Sequence, residues 1–177
     1  MVRVRDGSPR GDDDFAEFVH VAWPGLYRSA YLLLGDRGLA EDLAQTALTK
    51  TYVAWARIED PGAARAYAQR TLINTASSWF RRRSWRSERP SDDLPEASDG
   101  RHPGARVEVM EALASLPPRQ RAVVVLRYYE DLSVAETADA LGCSAGTVKS
   151  QTFEAFAKLR TLLGDAAVPE TLGAHRG

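Results

Sequence analysis

Apolar side chains in this chain recur at intervals of three and four residues, the period of a helix with one buried face. They do not fall into alternating β-branched runs closed by turn residues. The pattern predicts helices and no sheet. Phe15, Phe18, Val19 and Ala22 mark a first helix expected to end near Pro24, because proline lacks an N–H and crowds the preceding turn. Leu26, Ala30, Leu33 and Leu34 mark a second helix, closed by Gly35. Asp36 is placed to cap a third, whose inner face runs through Leu39, Leu43, Ala47, Leu48, Tyr52 and Trp55 and which stops before Asp60-Pro61-Gly62. A fourth covers about residues 63–83.

After an interruption the pattern resumes. A helix through Val107, Met110, Leu113 and Ala114 is broken by Leu116-Pro117-Pro118, and Pro118 suits the first turn of the next helix, with Val123, Leu126 and Tyr129 on its inner face. Ser133-Val134-Ala135-Glu136 then spells a capping box, in which hydroxyl and carboxylate each bind the other residue's N–H. From there the chain reads as a short helix to Leu141, a left-handed turn at Gly142 and a cap at Ser144 opening a longer helix. That is helix-turn-helix spacing. Ala138 is small where the helices meet, Leu141 and Val148 supply their shared core, and Thr147, Lys149, Ser150 and Phe153 are set to face a major groove. A plain helical hairpin is the competing reading.

The interruption, PSDDLPEASDGRHPG, is rich in Pro, Gly, Ser and acid and has little to bury, so residues 90–105 read as a flexible acidic linker. The fold class is therefore all-α, with two small helical domains, residues 12–89 and 106–164, joined by that linker, and with frayed ends at 1–11 and 165–177.

Composition narrows the function. In 177 residues with 44% hydrophobic content, no run approaches the ~18 apolar residues of a membrane span and the N-terminal stretch has no signal-peptide core, so a cytoplasmic protein without membrane insertion is expected. One cysteine, Cys143, excludes an internal disulfide. His20, His102 and His175 have no metal-ligand spacing, so neither metal nor cofactor is expected. The net charge of −1 hides an uneven distribution: residues 65–89 carry seven arginines against Glu88, and residues 90–105 carry four acids against Arg101. Arg81, Arg82, Arg83 and Arg86 stand among Trp79, Phe80 and Trp85, a mixture suited to phosphates and to stacking on exposed bases. A solvated helix end that complements the helix dipole explains the same arginines without DNA.

Taken in order, AEDLAQ, QRTLINTASSWFRRR, the acidic linker, LPPRQRAVVVLRYYEDLS and ALGCSAGTVKS make the chain resemble the extracytoplasmic-function sigma factors of RNA polymerase over residues 12–164, with GTVKSQT pointing to an actinobacterial, sigma-E-like subgroup. The resemblance implies a non-enzymatic initiation subunit whose first domain binds core RNA polymerase and melts the minus-10 element of promoter DNA, and whose second reads the minus-35 element. By the same resemblance, Asp42, Leu43 and Gln45 match polymerase-binding positions. Positions 57–62, with Arg57 and Asp60, then Arg70, Asn74, Ser78 and the run Arg81, Arg82, Arg83, match the minus-10 surface. Thr147, Lys149, Ser150, Phe153 and Glu154 match the minus-35 surface. Glu154 and Gln151 depart from the family's usual arginines, which leaves two uses for Glu154, reading a cytosine or weakening the contact, and leaves Phe153 a place either in the groove or packed inward. An anti-sigma factor is the further partner the resemblance implies.

Two other classes remain for comparison. A stand-alone helix-turn-helix regulator with an N-terminal sensing or dimerisation domain needs its own phosphate-neutralising charge, yet residues 106–164 balance seven basic against seven acidic side chains. A hydrolase or nuclease finds no Gly-rich phosphate loop, ligand cluster or Ser/His/Asp set.

Overall fold

The computed structural model describes residues 11–58, 60–82 and 103–164, all helix and connecting turns with no strand among them. The expected linker as far as residue 102, both terminal stretches, Arg83, Trp85 and Arg86 lie outside the described residues. Three long helices form the first half: α1 (Asp12–Leu34), α2 (Arg37–Ala54), continued by a 3₁₀ turn at Trp55–Arg57, and α3 (Pro61–Arg82). The second half contains α4 (Pro103–Ser115), so the last residues expected in the linker are helical. It continues with α5 (Pro118–Val124), α6 (Val134–Leu141) and α7 (Ala145–Leu163).

The caps fall where local chemistry demands them. Leu39 N–H donates to Asp36 Oδ1 at 2.8 Å, Glu136 N–H to Ser133 Oγ at 3.1 Å with Ser133 N–H returning to Glu136 Oε2 at 2.8 Å, and Thr147 N–H to Ser144 Oγ at 3.1 Å. Gly35 and Gly142 take left-handed φ of 67° and 61°, terminating α1 and α6.

Two expectations are corrected. Pro24 does not end a helix: α1 runs through it, because the lost ladder bond falls on the side of His20, Pro24 and Arg28, all exposed to water that can take the freed carbonyl. Ala22, Leu26, Ala30 and Leu33 keep the other side buried. Tyr129 is not on an inner face. After α5 the chain widens into a π-helical turn at Val125–Tyr129, which shifts the register so that Val123 and Leu126 are buried while Tyr129 is 47% exposed.

One buried cluster runs from Ala22, Leu33, Leu43 and Leu72 in the first half to Val123, Leu126, Leu141 and Val148 in the second. A smaller one, with Leu116, Phe156 and Leu159, joins α4 and α7. Helices α5 and α6 thus lie against α1 and α3. At the seam the Arg121 guanidinium donates to Leu34 O at 2.9 Å and to Ala114 O at 3.3 Å, and Gln69 Nε2 donates to Glu130 Oε2 at 2.6 Å. Arg81 reaches Asp139 O at 3.4 Å.

Candidate nucleic-acid interface

On α2, Asp42 and Gln45 are exposed, and Gln45 Nε2 contacts Glu41 Oε1 at 3.4 Å. Leu43, expected beside them, is wholly buried, so its work is to seat α2 on the core. Gln45 borders an open apolar groove of about 600 Å³ between α1 and α2, lined by Phe15, Val19, Trp23, Leu48 and Tyr52. Phe15 packs edge-on against Trp55 at 5.0 Å and in a tilted contact against Tyr52 at 4.8 Å. The Tyr52 hydroxyl donates to Asp12 Oδ1 at 2.7 Å, and this bond raises its pKa above the ordinary tyrosine value. Sequence reasoning missed the groove, because its two walls, Phe15 to Trp23 and Gln45 to Tyr52, come from different helices well separated in the chain.

On α3, Arg70 and Asn74 are exposed and Ser78 half-buried, successive members of a stripe spaced by four residues. Arg57, Arg81 and Arg82 are exposed as well. Asp60 serves the fold: its two carboxylate oxygens accept from Gly62 N–H and Ala63 N–H at 3.2 Å each, capping α3. Phe80, expected among the stacking aromatics, is buried and so offers no ring face to a base, and Trp79 is half-buried against the core. Lys50 Nζ donates to Thr75 Oγ1 at 3.0 Å, tying α2 to the back of α3.

On α7, Lys149 and Ser150 are exposed, and Ser150 Oγ donates to Thr147 O at 3.0 Å. Thr147 is half-buried with its hydroxyl 2.9 Å from Ser144 Oγ, so it belongs to the helix cap as much as to the outer face. Phe153 is 72% exposed, which excludes the inward-packed alternative. Glu154 is exposed but held: it accepts from Gln120 Nε2 at 2.8 Å, with Gln151 Nε2 at 3.5 Å. Gln120, buried on α5, is the residue sequence reasoning missed, since nothing local marks a glutamine as the tether of a helix 34 residues on.

Electrostatics connect α3 to the second half. The pKa of Glu136 lies below the ordinary value, chiefly because Ser133 N–H donates to its carboxylate, with a smaller contribution from the Arg70 charge. Burial lowers the pKa of Arg121, opposed by Tyr31. No group of metal-ligating side chains exists among the described residues, and none of their helices is long and apolar enough to cross a membrane.

Comparison with known proteins accounts for both halves. Residues 21–86 match the family model described as Sigma-70 region 2, and residues 106–159 the one described as Sigma-70, region 4. The chain is 47% identical over 150 residues to the RNA polymerase sigma-E factor of Streptomyces coelicolor, an alignment covering 83% of this chain and 84% of that protein. It is 31% identical over 140 residues to the ECF RNA polymerase sigma factor SigM of Mycobacterium tuberculosis, covering 78% and 71%. Among solved structures it is similar to the sigma factor RpoE of Bartonella quintana in complex with the anti-sigma factor NepR, with a TM-score of 0.57, 26% identity and coverage of 86% and 98%. With both regions matched and relatives of this identity along most of its length, the chain belongs to the sigma-70 family of RNA polymerase sigma factors, within the extracytoplasmic-function group.

Proposed function

We propose that this sigma factor docks on core RNA polymerase through the outer side of α2, holds the minus-10 strand on α3 and reads the minus-35 duplex with α7. Its family makes it a factor for promoter-directed transcription initiation; the assignment of those roles to residues is the proposal. Residues 12–89 form the polymerase-binding and melting unit, the helices from α4 to α7 the duplex-reading unit, and the stretch from residue 90 to the start of α4 the tether. The protein performs no covalent chemistry, which belongs to polymerase, and it works in the cytoplasm. An anti-sigma factor is a further partner, by analogy with the Bartonella quintana RpoE that was solved with NepR.

The observation that carries the reading is the stripe on α3. Arg70 and Asn74 stand exposed one turn apart, with Ser78 a turn beyond, so a cation for phosphate and an amide for a base edge line a single track. An unpaired strand offers its Watson–Crick edges to such a track, whereas a closed duplex does not. Asp42 and Gln45 lie on α2, away from that stripe, which leaves them free for a protein partner.

Tagged protein is expected to co-purify with core polymerase subunits and to support transcription from a promoter that the free chain does not bind at physiological salt. Tight, specific duplex binding by the free chain, with no polymerase subunits retained, favours the stand-alone regulator instead.

A further inference from the structure

Glu154 is exposed in the third turn of α7, on the side that also carries Thr147 and Ser150, since spacings of three and four keep residues on one face of a helix. Two side-chain amides hold its carboxylate. Gln120 Nε2 donates to Oε2 at 2.8 Å, and Gln151 Nε2 stands 3.5 Å from the same oxygen. Among the described residues no hydrogen bond reaches Oε1. A carboxylate only accepts, so each amide must turn its NH2 group toward it. For Gln120, which is 5% exposed, that orientation leaves the amide oxygen buried without a partner.

An unpaired buried oxygen costs stability. An apolar side chain of the same length would fill the site without that cost, so what the glutamine adds is the placement of the acid. Both tethers are neutral, so neither cancels the negative charge of Glu154 as a lysine or arginine would. The result is a fixed acceptor, with one oxygen committed to the protein and the other turned to the outer surface of the helix.

We propose that Glu154 determines specificity at one base pair of the minus-35 element: Gln120 fixes the carboxylate so that Oε1 accepts from the N4 amino group of a cytosine in the major groove. This rests on the assignment of α7 to the minus-35 duplex. In that groove only cytosine N4 and adenine N6 donate, and adenine sets its N7 acceptor beside its amino group, where it repels a carboxylate. Guanine and thymine offer acceptors alone. The phosphates repel the acid in every sequence, and only the cytosine contact offsets that repulsion, so Glu154 gains selectivity while lowering affinity for other DNA. Gln120 itself is buried and touches no base; it is a positioning residue.

The test uses holoenzyme carrying the full chain. Promoter duplexes are selected from a randomised pool, and the selected minus-35 element is then varied one base pair at a time. The parent is expected to lose about tenfold in binding when one particular cytosine is replaced, near the lower end of the cost of a mismatched pair. In Glu154→Gln the amide oxygen takes the Gln120 bond and the NH2 group turns to the groove. Preference at that pair then moves to an acceptor base, guanine or thymine, and the other positions keep theirs. Gln120→Met fills the same space without the tether and is expected to flatten the preference at that pair alone, whereas a merely structural glutamine would weaken binding at all positions together. Gln120→Leu serves in its place if the methionine chain does not fold. Base preferences unchanged in Glu154→Gln overturn the reading role. A shift in Glu154→Gln, with full discrimination retained in the Gln120 variant, overturns the positioning role. Lys149→Ala separates these results from a failure of the α7 assignment. A loss on every sequence, beside an unchanged Glu154→Gln profile, keeps α7 on the duplex without Glu154, and no change in either variant removes α7 from the minus-35 element.

Discussion

The Gln120 amide donates to the Glu154 carboxylate at 2.8 Å, so the acid in the recognition helix is also the clip that fastens α7 to α5. Gln120 Oε1 is already buried without a partner, so the amide side of that residue depends on Glu154. Glu154→Arg is therefore expected to act twice. It removes the bond and lowers thermal stability by about 1–3 kcal/mol, the cost of stranding a buried polar group. It also steepens the salt dependence of holoenzyme binding by about one phosphate's worth, a slope change of ~0.9. Glu154→Gln keeps an acceptor for Gln120 and is expected to hold the melting temperature. An unchanged melting temperature in Glu154→Arg, measured beside the salt series, shows that the clip contributes nothing.

On α2 neighbouring residues are expected to divide cleanly. Asp42→Ala with Gln45→Ala should abolish co-purification with core polymerase while changing stability by no more than about 0.5 kcal/mol, as exposed positions do. Leu43→Ala should cost about 2–5 kcal/mol through the cavity it leaves. Urea unfolding alongside the pull-down separates the two, and a stable Leu43→Ala chain that has lost polymerase would restore Leu43 to the contact surface.

Asn74→Ala is read best on two templates, an intact promoter and one already unpaired at the minus-10 element. Loss of open complexes on both means that the amide holds a base, since pre-melting removes the unpairing cost without replacing the contact. Wild-type rates on the unpaired template alone assign Asn74 to melting.

The capping box supplies a pH dependence. The Glu136 pKa is lowered in the folded chain from 4.5, so its contribution to stability is complete above that value and disappears as pH falls through the lower folded pKa. Thermal unfolding between pH 6 and about pH 3 should show the difference between parent and Glu136→Gln shrinking as acid is added. A difference that stays constant over that range excludes the box as its source.

Short-range chemistry carries most of what is legible in the residues alone. Asp36, Ser133 and Ser144 cap helices a few positions away, and Gly142 turns the chain where two apolar patterns meet, so the helix-turn-helix follows from neighbours. The failures share a different cause. Whether Pro24 breaks a helix depends on which side its missing bond faces, and whether Tyr129 is buried depends on a π-helical turn fixed by packing on α1. Motif position marks Asp60 and Glu154 as DNA contacts, whereas their hydrogen bonds give them work within the protein. The seam is invisible in the sequence because its partners are 61 and 87 residues apart in the Gln69–Glu130 and Leu34–Arg121 contacts.

Gly35 and Arg121 are bound to a common fate in mutation. Any Cβ at position 35 would stand 2.7 Å from the guanidinium carbon, on a backbone whose φ of 67° already disfavours side chains. Asparagine, which tolerates that backbone, therefore enters only if the guanidinium moves from its place beside Leu34 O, and enters more easily once the arginine is shortened. Substitutions at the two positions are then coupled: a change at 35 costs less after a change at 121 than before it. A library that randomises both together is expected to recover pairs that neither single-site library contains.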